Sequence, residues 1–371
     1  GNSATNEGGG MSLSGSSPTL KDVNITSNSS GLRGGGMTIR QNSAPILMNV
    51  TISNNFTSIL GGGMYLYGAN PTLSNVTING NYGAKGGGMF IEEGSNPTIT
   101  DVTITGNEAN SGGGGIMLSW SSATITDVTI LGNYTGYYNG GGGVNLDASS
   151  PVMTDVTISG NSASNGGGMY LASNSNPTLT DVIIANNIAS TGGGLYLITG
   201  SAPNLIDVTI SGNSASNGGG IYSTSSYNIT DVTITANTGY GIYVSGGNPS
   251  ISQSNLAYNG SGVYNANNAN ILSVTNNYWG HSSGPYHPTQ NTAGEGDSVN
   301  TFVNVDPWLT VPDTDAPPIP AQNTLVTGSG NDFISLSWDA SEIGDLAGYK
   351  VYYDSDSSGY PYTNSVDIGT E

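Results

Sequence analysis

The sequence predicts an all-β solenoid, and three regularities of the chain carry this prediction. A glycine run followed by an apolar residue recurs every 21–28 residues. Between these runs, short segments alternate apolar and polar residues as β-strands do, and no segment shows helical periodicity. One asparagine recurs at the same place in every repeat. Repeats of this length cannot bury an apolar face alone, so they stack on one another and share a continuous core.

The architecture of one repeat follows from its best-preserved copy, residues 166–190. It contains three short strand-like runs at 169–171, 177–179 and 182–184, with a corner at 180–181. Three strands per coil with corners between them predict a parallel β-helix, whose neighbouring coils lie about 4.8 Å apart. The glycines fit a corner with positive φ, where a Cβ atom would clash. We predict about 11 coils, whose first strands begin at Met11, Met37, Met64, Met89, Ile116, Val144, Met169, Leu195, Ile221, Ile242 and Val263.

The recurring asparagine lies three residues after the last apolar residue of the third run. Stacked side-chain amides hydrogen-bond from one layer to the next in the asparagine ladders of cross-β structures. The predicted role of these residues is therefore structural. The ladder is predicted to comprise Asn28, Asn55, Asn81, Asn107, Asn133, Asn161, Asn187, Asn213, Asn237, Asn259 and Asn277.

The glycine-aliphatic runs and the spaced asparagines resemble those of the right-handed parallel β-helix repeat proteins of bacterial surfaces. The resemblance extends from Gly1 to about Leu309, and residues 276–309 are similar to the terminal coil and cap of such proteins. It implies a right-handed helix, as does the general rule for parallel crossovers. The β-helix domain is thus predicted at residues 1–311. This architecture carries lyases, hydrolases, adhesins and scaffolds, so the resemblance is specific for fold and not for function.

The C-terminal part of the chain differs in composition. Residues 312–320 form a proline-rich linker. Beyond it, the run 334–338 with its tryptophan and the run 345–353 resemble the first half of a fibronectin type III domain. Residues 321–371 are too few for a complete sandwich, so we expect a partial β-sandwich. The first four residues repeat part of a later coil, so we expect either a fragment of a longer protein or a copy completed by its neighbour.

Charge and composition exclude several classes of partner. The chain carries 25 acidic and 5 basic residues in 371, a formal net charge of −20. Five dispersed cations cannot neutralise a run of phosphates, so the sequence predicts no nucleic-acid partner. No apolar run approaches 20 residues, so membrane insertion is not expected. Cysteine is absent, which excludes disulfides and thiolate metal sites.

In several coils an aromatic residue that points outward directly follows the inward residue at the start of the first strand. Stacked coil upon coil, these residues form an outward aromatic stripe. We interpret it as a carbohydrate-binding surface, a flat platform on which sugar rings stack, to which the nearby Trp120 adds aromatic area. The structural alternative is that tyrosine is a good strand residue and that like aromatics stack along a sheet. The residues predicted to bind carbohydrate are Tyr170, Tyr196, Tyr222, Tyr243, Tyr264 and Trp120.

No catalytic residue is favoured, but one pair of carboxylates is an alternative. Glu92 and Asp147 occupy one column two coils apart, a backbone separation of about 9.6 Å. That value is near the upper end of the carboxyl separation in inverting glycosidases. Ordinary polar variation on an exposed edge explains the same pattern.

No cofactor is favoured, and calcium is the alternative. Aspartates recur at the corner before the third run, and clustered carboxylates of Asp155, Asp181 and Asp207 could be bridged by this ion. The competing explanation is that each aspartate accepts backbone N–H bonds at its own corner.

These features lead to one main functional prediction and two alternatives. The main prediction is a secreted or cell-surface structural or adhesive protein, extracellular in location, that binds glycans or other extracellular molecules. The first alternative is a polysaccharide-degrading enzyme, a glycoside hydrolase or lyase. The second is a subunit of a self-assembling extracellular filament. The fold alone does not decide among them.

Overall fold

The computed structural model describes residues 1–138, 140–322, 324–329, 334–339, 348–353 and 364–369. It confirms the all-β prediction: parallel strands stack coil upon coil into a β-helix with three long sheets. Two small antiparallel pairs follow near the C-terminus and fit a partial sandwich.

The first sheet is built from the run that follows the glycines, as predicted. Its strands bury the first and third residues inside the helix, as Met64 and Leu66 show with no exposed surface. Pairing is parallel and in register from coil to coil. The strands are Met11–Ser14, Met37–Arg40, Met64–Tyr67, Met89–Glu92, Ile116–Ser119, Val144–Asp147, Met169–Ala172, Leu195–Leu197, Ile221–Ser223, Tyr240–Val244 and Ser261–Asn265.

The second sheet corrects the predicted division of each coil. The second and third runs belong to this one sheet, and in the middle coils they form a single strand of eight residues. The residue between them, such as Asp101 with φ 52°, turns left-handed while pairing continues on both sides. The strands are Thr19–Lys21, Asn24–Thr26, Ile46–Ser53, Thr72–Asn79, Thr98–Thr105, Thr124–Leu131, Val152–Ser159, Thr178–Thr180, Ile183–Ala185, Asn204–Ile206, Thr209–Ser211, Thr233–Thr235 and Asn255–Ala257.

The third sheet lies where the sequence predicted only a connection, between the ladder asparagine and the next glycine run. Its short strands pair in parallel, for example Ser162–Asn165 with Ile188–Thr191. The complete set is Ser3–Ala4, Ser29–Ser30, Phe56–Thr57, Tyr82–Gly83, Glu108–Ser111, Tyr134–Tyr138, Ser162–Asn165 and Ile188–Thr191. The prediction of three strands per coil is thus confirmed, with a different assignment of the third strand.

The glycine runs permit close stacking of the corners between the third and first sheets. The leading glycine is left-handed, as at Gly61 with φ 65°. A Cβ atom on the following Gly62 would lie 2.4 Å from the carbonyl oxygen of Gly87 in the next coil. No side chain fits at that distance, so adjacent coils can pack at strand spacing only over glycine.

The asparagine ladder is confirmed from Asn28 to Asn259. At each step the backbone N–H and the side-chain Nδ2 of one asparagine donate to Oδ1 of the next, as Asn107 does to Asn133 at 2.9 and 3.0 Å. Asn277 is not in this ladder; its Oδ1 accepts from the backbone of Ser254, which lies one residue beyond the second-sheet corner. The ladder ends instead on Asp297, whose Oδ2 accepts two bonds of 2.9 Å from Asn259.

A second buried ladder lies at the corner after the first sheet. The backbone N–H of each residue there donates to the serine hydroxyl in the next coil, as Ser121 does to Ser149 at 3.1 Å and Ser149 to Ser175 at 3.1 Å. These serines are at most 4% exposed. They satisfy backbone donors that would otherwise be buried without a partner.

The C-terminal end of the β-helix is covered by the cap and by the proline-rich segment. Short pairs complete the last coils: Asn228–Ile229 with Ser250–Ile251, and Leu272–Ser273 with Val303–Asn304. The predicted linker 312–320 packs against the helix, where the backbone of Asp313 exchanges hydrogen bonds of 2.8 and 3.1 Å with the Asn255 side chain.

Two antiparallel pairs follow this segment. They are Leu325–Ser329 with Ile334–Ser337, and Tyr349–Tyr353 with Asn364–Gly369. Trp338 packs edge-on against Tyr349 at 5.2 Å between ring centroids.

Candidate functional site

The predicted tyrosine stripe is a continuous stack on the outer face of the first sheet. Parallel pairing sets each tyrosine beside the next, and the ring centroids lie 4.8–5.5 Å apart with interplanar angles of 11–19°. Tyr240, which begins the strand Tyr240–Val244, tilts against the last two rings. We call the row of Tyr170, Tyr196, Tyr222, Tyr243 and Tyr264 the tyrosine stripe.

Stacking decides which part of each ring meets solvent. Because every inner ring has a neighbour on both faces, its faces are covered and its edge and hydroxyl remain outward. Tyr170 is only 6% exposed, and the other four rings are half-buried. The stripe therefore offers a row of phenol edges instead of the flat stacking platform that the sequence suggested.

The first two phenol groups of the stripe are held in their neutral form. Burial, followed by the neighbouring Tyr196 and then Asp147, raises the pKa of Tyr170 to about 12. Burial and Tyr222 also raise the pKa of Tyr196. At neutral pH these hydroxyls keep their protons, so they can donate as well as accept hydrogen bonds.

The same column is different in the N-terminal coils. Tyr65 and Phe90 stack at 6.0 Å, but they are 1% and 3% exposed and form a small buried cluster with Met117. The guanidinium of Arg33 covers the Tyr65 ring at 5.4 Å. The accessible aromatic edges of this column therefore begin only after the buried cluster of Tyr65, Phe90 and Met117.

The alternative catalytic pair is in one column but is not brought together. Glu92 pairs with Ser119, and Ser119 pairs with Asp147, as the repeat predicted. The Glu92 carboxylate, however, accepts a hydrogen bond from the Tyr65 hydroxyl of the preceding coil. Asp147 lies two coils away in the opposite direction, at the separation that the repeat predicted, while this hydrogen bond turns the Glu92 carboxylate toward Tyr65.

Trp120 stands apart from the stripe, at the corner that ends its first-sheet strand. Its side chain is 70% exposed and its backbone is left-handed, with φ 52°. The strand of Trp120 is separated from that of Tyr170 by the strand Val144–Asp147. The indole is therefore near the N-terminal end of the tyrosine stripe without being part of its stack.

The predicted calcium ligands are exposed at separate corners. Asp155, Asp181 and Asp207 have φ of 52–54°, a conformation that aspartate and asparagine tolerate better than most residues. In the part of the chain that the structure describes, no group of three or more acidic or histidine side chains is arranged to hold a metal ion. The left-handed corner by itself gives these aspartates a structural role, because few other residues tolerate that conformation.

One exposed aromatic pair was missed at the sequence level. Phe56 and Tyr82 stack on the third sheet at 5.2 Å and 6°, and Phe56 is 49% exposed. Strands of this sheet lack an alternating apolar pattern, so nothing in the repeat indicated that these two residues share a face.

The described residues also include no helix of the length and hydrophobicity needed to span a bilayer.

The repeat geometry agrees with a comparison of the chain with known families. A family model for the right-handed β-helix region matches residues 1–134 and 114–279, most of the stacked coils. The chain belongs to the right-handed β-helix family. The comparison with curated proteins found no match to this chain. A solved structure of a trypsin-treated variant of QnrB1, a plasmid-mediated fluoroquinolone resistance protein, is 12% identical over 80% of this chain and 92% of that chain, with a TM-score of 0.17.

Proposed function

We propose that this right-handed β-helix is a secreted or cell-surface structural and adhesive protein that binds glycans along the tyrosine stripe. The observation that carries the proposal is the in-register row of tyrosines with outward phenol edges. Each ring repeats at nearly the strand spacing, so the row fits an extended polymer that runs parallel to the helix axis.

The chemistry of the stripe favours a hydroxyl-rich ligand. Phenol groups donate and accept hydrogen bonds, and ring edges supply apolar contact beside them. The net charge of −20 repels polyanions, so the ligand is neutral or cationic. These two properties together describe a neutral or basic polysaccharide.

Rigidity supports the structural part of the proposal. The asparagine and serine ladders tie each coil to the next along two corners, and an aliphatic core fills the interior. A solenoid of this kind holds its binding groups at fixed spacing, so contacts along the stripe add without further loss of conformational entropy.

Affinity electrophoresis in gels containing neutral polysaccharides tests the proposal. The variant Tyr196→Ser/Tyr222→Ser replaces two rings of the stripe by serine. Serine is compatible with this column of the first sheet, because Ser12 occupies the same column in the first coil. The control Tyr134→Ser removes a tyrosine that is 47% exposed on the third sheet, beside Ser162 in the next coil. We expect retardation of the wild type and of the control, and loss of retardation in the stripe variant. Equal retardation of all three would contradict glycan binding by the stripe.

A further inference from the structure

Trp120 occupies a position that neither backbone geometry nor packing favours. A bulky residue with φ 52° is uncommon, because the left-handed region crowds the Cβ atom. The indole is also 70% exposed, more than any other large hydrophobic side chain among the described residues. Other coils place glutamine, glycine, glutamate, alanine or serine at this corner. The chain itself gains no buried contact from the indole, so a role toward an external ligand accounts for it.

Two carboxylates flank the indole along the helix axis. Glu93 takes the same corner in the preceding coil, where the N–H of Gly94 donates to the Trp120 carbonyl at 2.9 Å. In the following coil, the Asp147 carbonyl accepts from the Trp120 N–H at 3.0 Å. Adjacent coils lie about 4.8 Å apart, so acidic side chains start within one coil of the indole on both sides. Glu93 is exposed and Asp147 half-buried.

The two arginines of the N-terminal coils, one of them in the column of Asp147, are already engaged. Arg40 contacts Glu7 at 2.9 Å, and Arg33 contacts the same carboxylate at 3.0 Å while it covers Tyr65. The corner at Trp120 therefore combines an open aromatic face with uncompensated negative charge. An aromatic face and nearby carboxylates attract an organic ammonium group, and tryptophan is the strongest aromatic partner for a cation.

The corner is continuous with the tyrosine stripe. Asp147 pairs with Ala172, which lies two residues after Tyr170 in the next strand of the first sheet. Its charge contributes to the raised pKa of Tyr170, so the carboxylate is close enough to act on the first ring of the stripe. A glycan that lies along the stripe would bring one of its units to the indole.

The geometry points to an amino-sugar polymer as the ligand, with an ammonium group held at Trp120 between Glu93 and Asp147. The inference rests on the proposed function, because the remainder of the glycan lies on the tyrosine stripe. It narrows the ligand from neutral or basic glycans to those that carry free amines.

Two matched oligosaccharides test this inference by isothermal titration calorimetry at about 0.15 M salt. The hexamer of β-1,4-linked glucosamine carries ammonium groups, and the N-acetylglucosamine hexamer has the same backbone without them. We expect at least tenfold tighter binding of the glucosamine hexamer, and a loss of tenfold or more in Trp120→Ala and in Glu93→Gln/Asp147→Asn.

A charge-matched control separates this site from the general field of the protein. The variant Asp101→Asn/Glu108→Gln removes two exposed carboxylates on other sheets, and we expect its affinity to stay within twofold of the wild type. Equal losses in both double variants would overturn the site at Trp120. Equal binding of the two hexamers, unchanged in Trp120→Ala, would overturn the inference and leave glycan binding by the stripe in place. Failure of both hexamers and of every gel polysaccharide to bind would overturn the proposed function as well.

Discussion

Asp297, the last acceptor of the asparagine ladder, is expected to make the stability of the cap depend on pH. Burial raises the pKa of this carboxyl from 3.8 to about 7, although bonds from Asn259 and the backbone of Tyr258 partly oppose the shift. A rise of about three pKa units corresponds to roughly 4 kcal/mol, because one unit is about 1.4 kcal/mol. The folded protein therefore holds a proton here more tightly than the unfolded chain does.

The sign follows from the raised value. The contribution of Asp297 to stability is complete below pH 3.8, declines as pH rises toward 7, and is absent above it. Asp297→Asn keeps an oxygen acceptor for Asn259 and removes the titration. We expect the difference in unfolding free energy between wild type and variant to change by up to about 4 kcal/mol between pH 4 and pH 8, in favour of the variant at pH 8.

Urea unfolding, followed by tryptophan fluorescence, measures this difference. Trp279 is fully buried and its carbonyl accepts from the Asp297 N–H at 2.9 Å, so it reports on the cap directly. The other 24 acidic residues are common to both proteins, and their effects cancel in the difference. Parallel stability curves for the two proteins across this pH range would refute the reasoning.

Three further predictions about the interior are tested by urea unfolding. Asn133→Ala removes the shared acceptor of the preceding asparagine and should cost about 3 kcal/mol or more, since each buried donor left unpaired costs about 1–3 kcal/mol; a cost below about 1 kcal/mol would deny the ladder a stabilising role. Gly62→Ala should cost more than Gly106→Ala, because a Cβ meets backbone at 2.4 Å in the first and nothing within 4 Å in the second; since Gly106 has φ 59° and Gly62 has no positive φ, an equal or larger cost of Gly106→Ala would mean that φ outweighs close stacking. Ser223→Leu should cost about 1–3 kcal/mol, because the Ser223 hydroxyl accepts from the buried N–H of Ser225 at 2.9 Å and leucine leaves that donor unpaired; no measurable cost would contradict a stabilising role of this bond.

The sequence was sufficient for the first sheet and most of the ladder. Both depend on contacts between equivalent residues of successive coils, so their periodicity appears directly in the chain. The third sheet was missed because strands such as Ser162–Asn165 are small and polar, with no alternation to indicate them. Asn277 was misplaced because its spacing from the preceding apolar residue is right, while its coil is shortened by the cap.

Side-chain orientation was beyond the reach of the repeat pattern. The column of tyrosines was predictable, but the stacking that covers their faces depends on ring rotation. Burial of Tyr65 was hidden for the same reason, since Arg33 reaches it from another turn of the chain. The packing of residues 312–320 on the helix also left no signal, because a proline-rich composition is equally typical of free linkers.

The change from amide to carboxylate at the end of the ladder sets a limit on how this protein can vary in length. An asparagine both receives and gives hydrogen bonds, so one more coil inserted between two asparagines restores every bond. Asp297 has no side-chain amide N–H, and its backbone N–H donates to the carbonyl of Trp279, so the asparagine series does not continue past it. Insertion or removal of one whole coil would therefore leave the ladder upstream of Asn259 intact, whereas the cap has to stay beside the coil whose asparagine donates to Asp297.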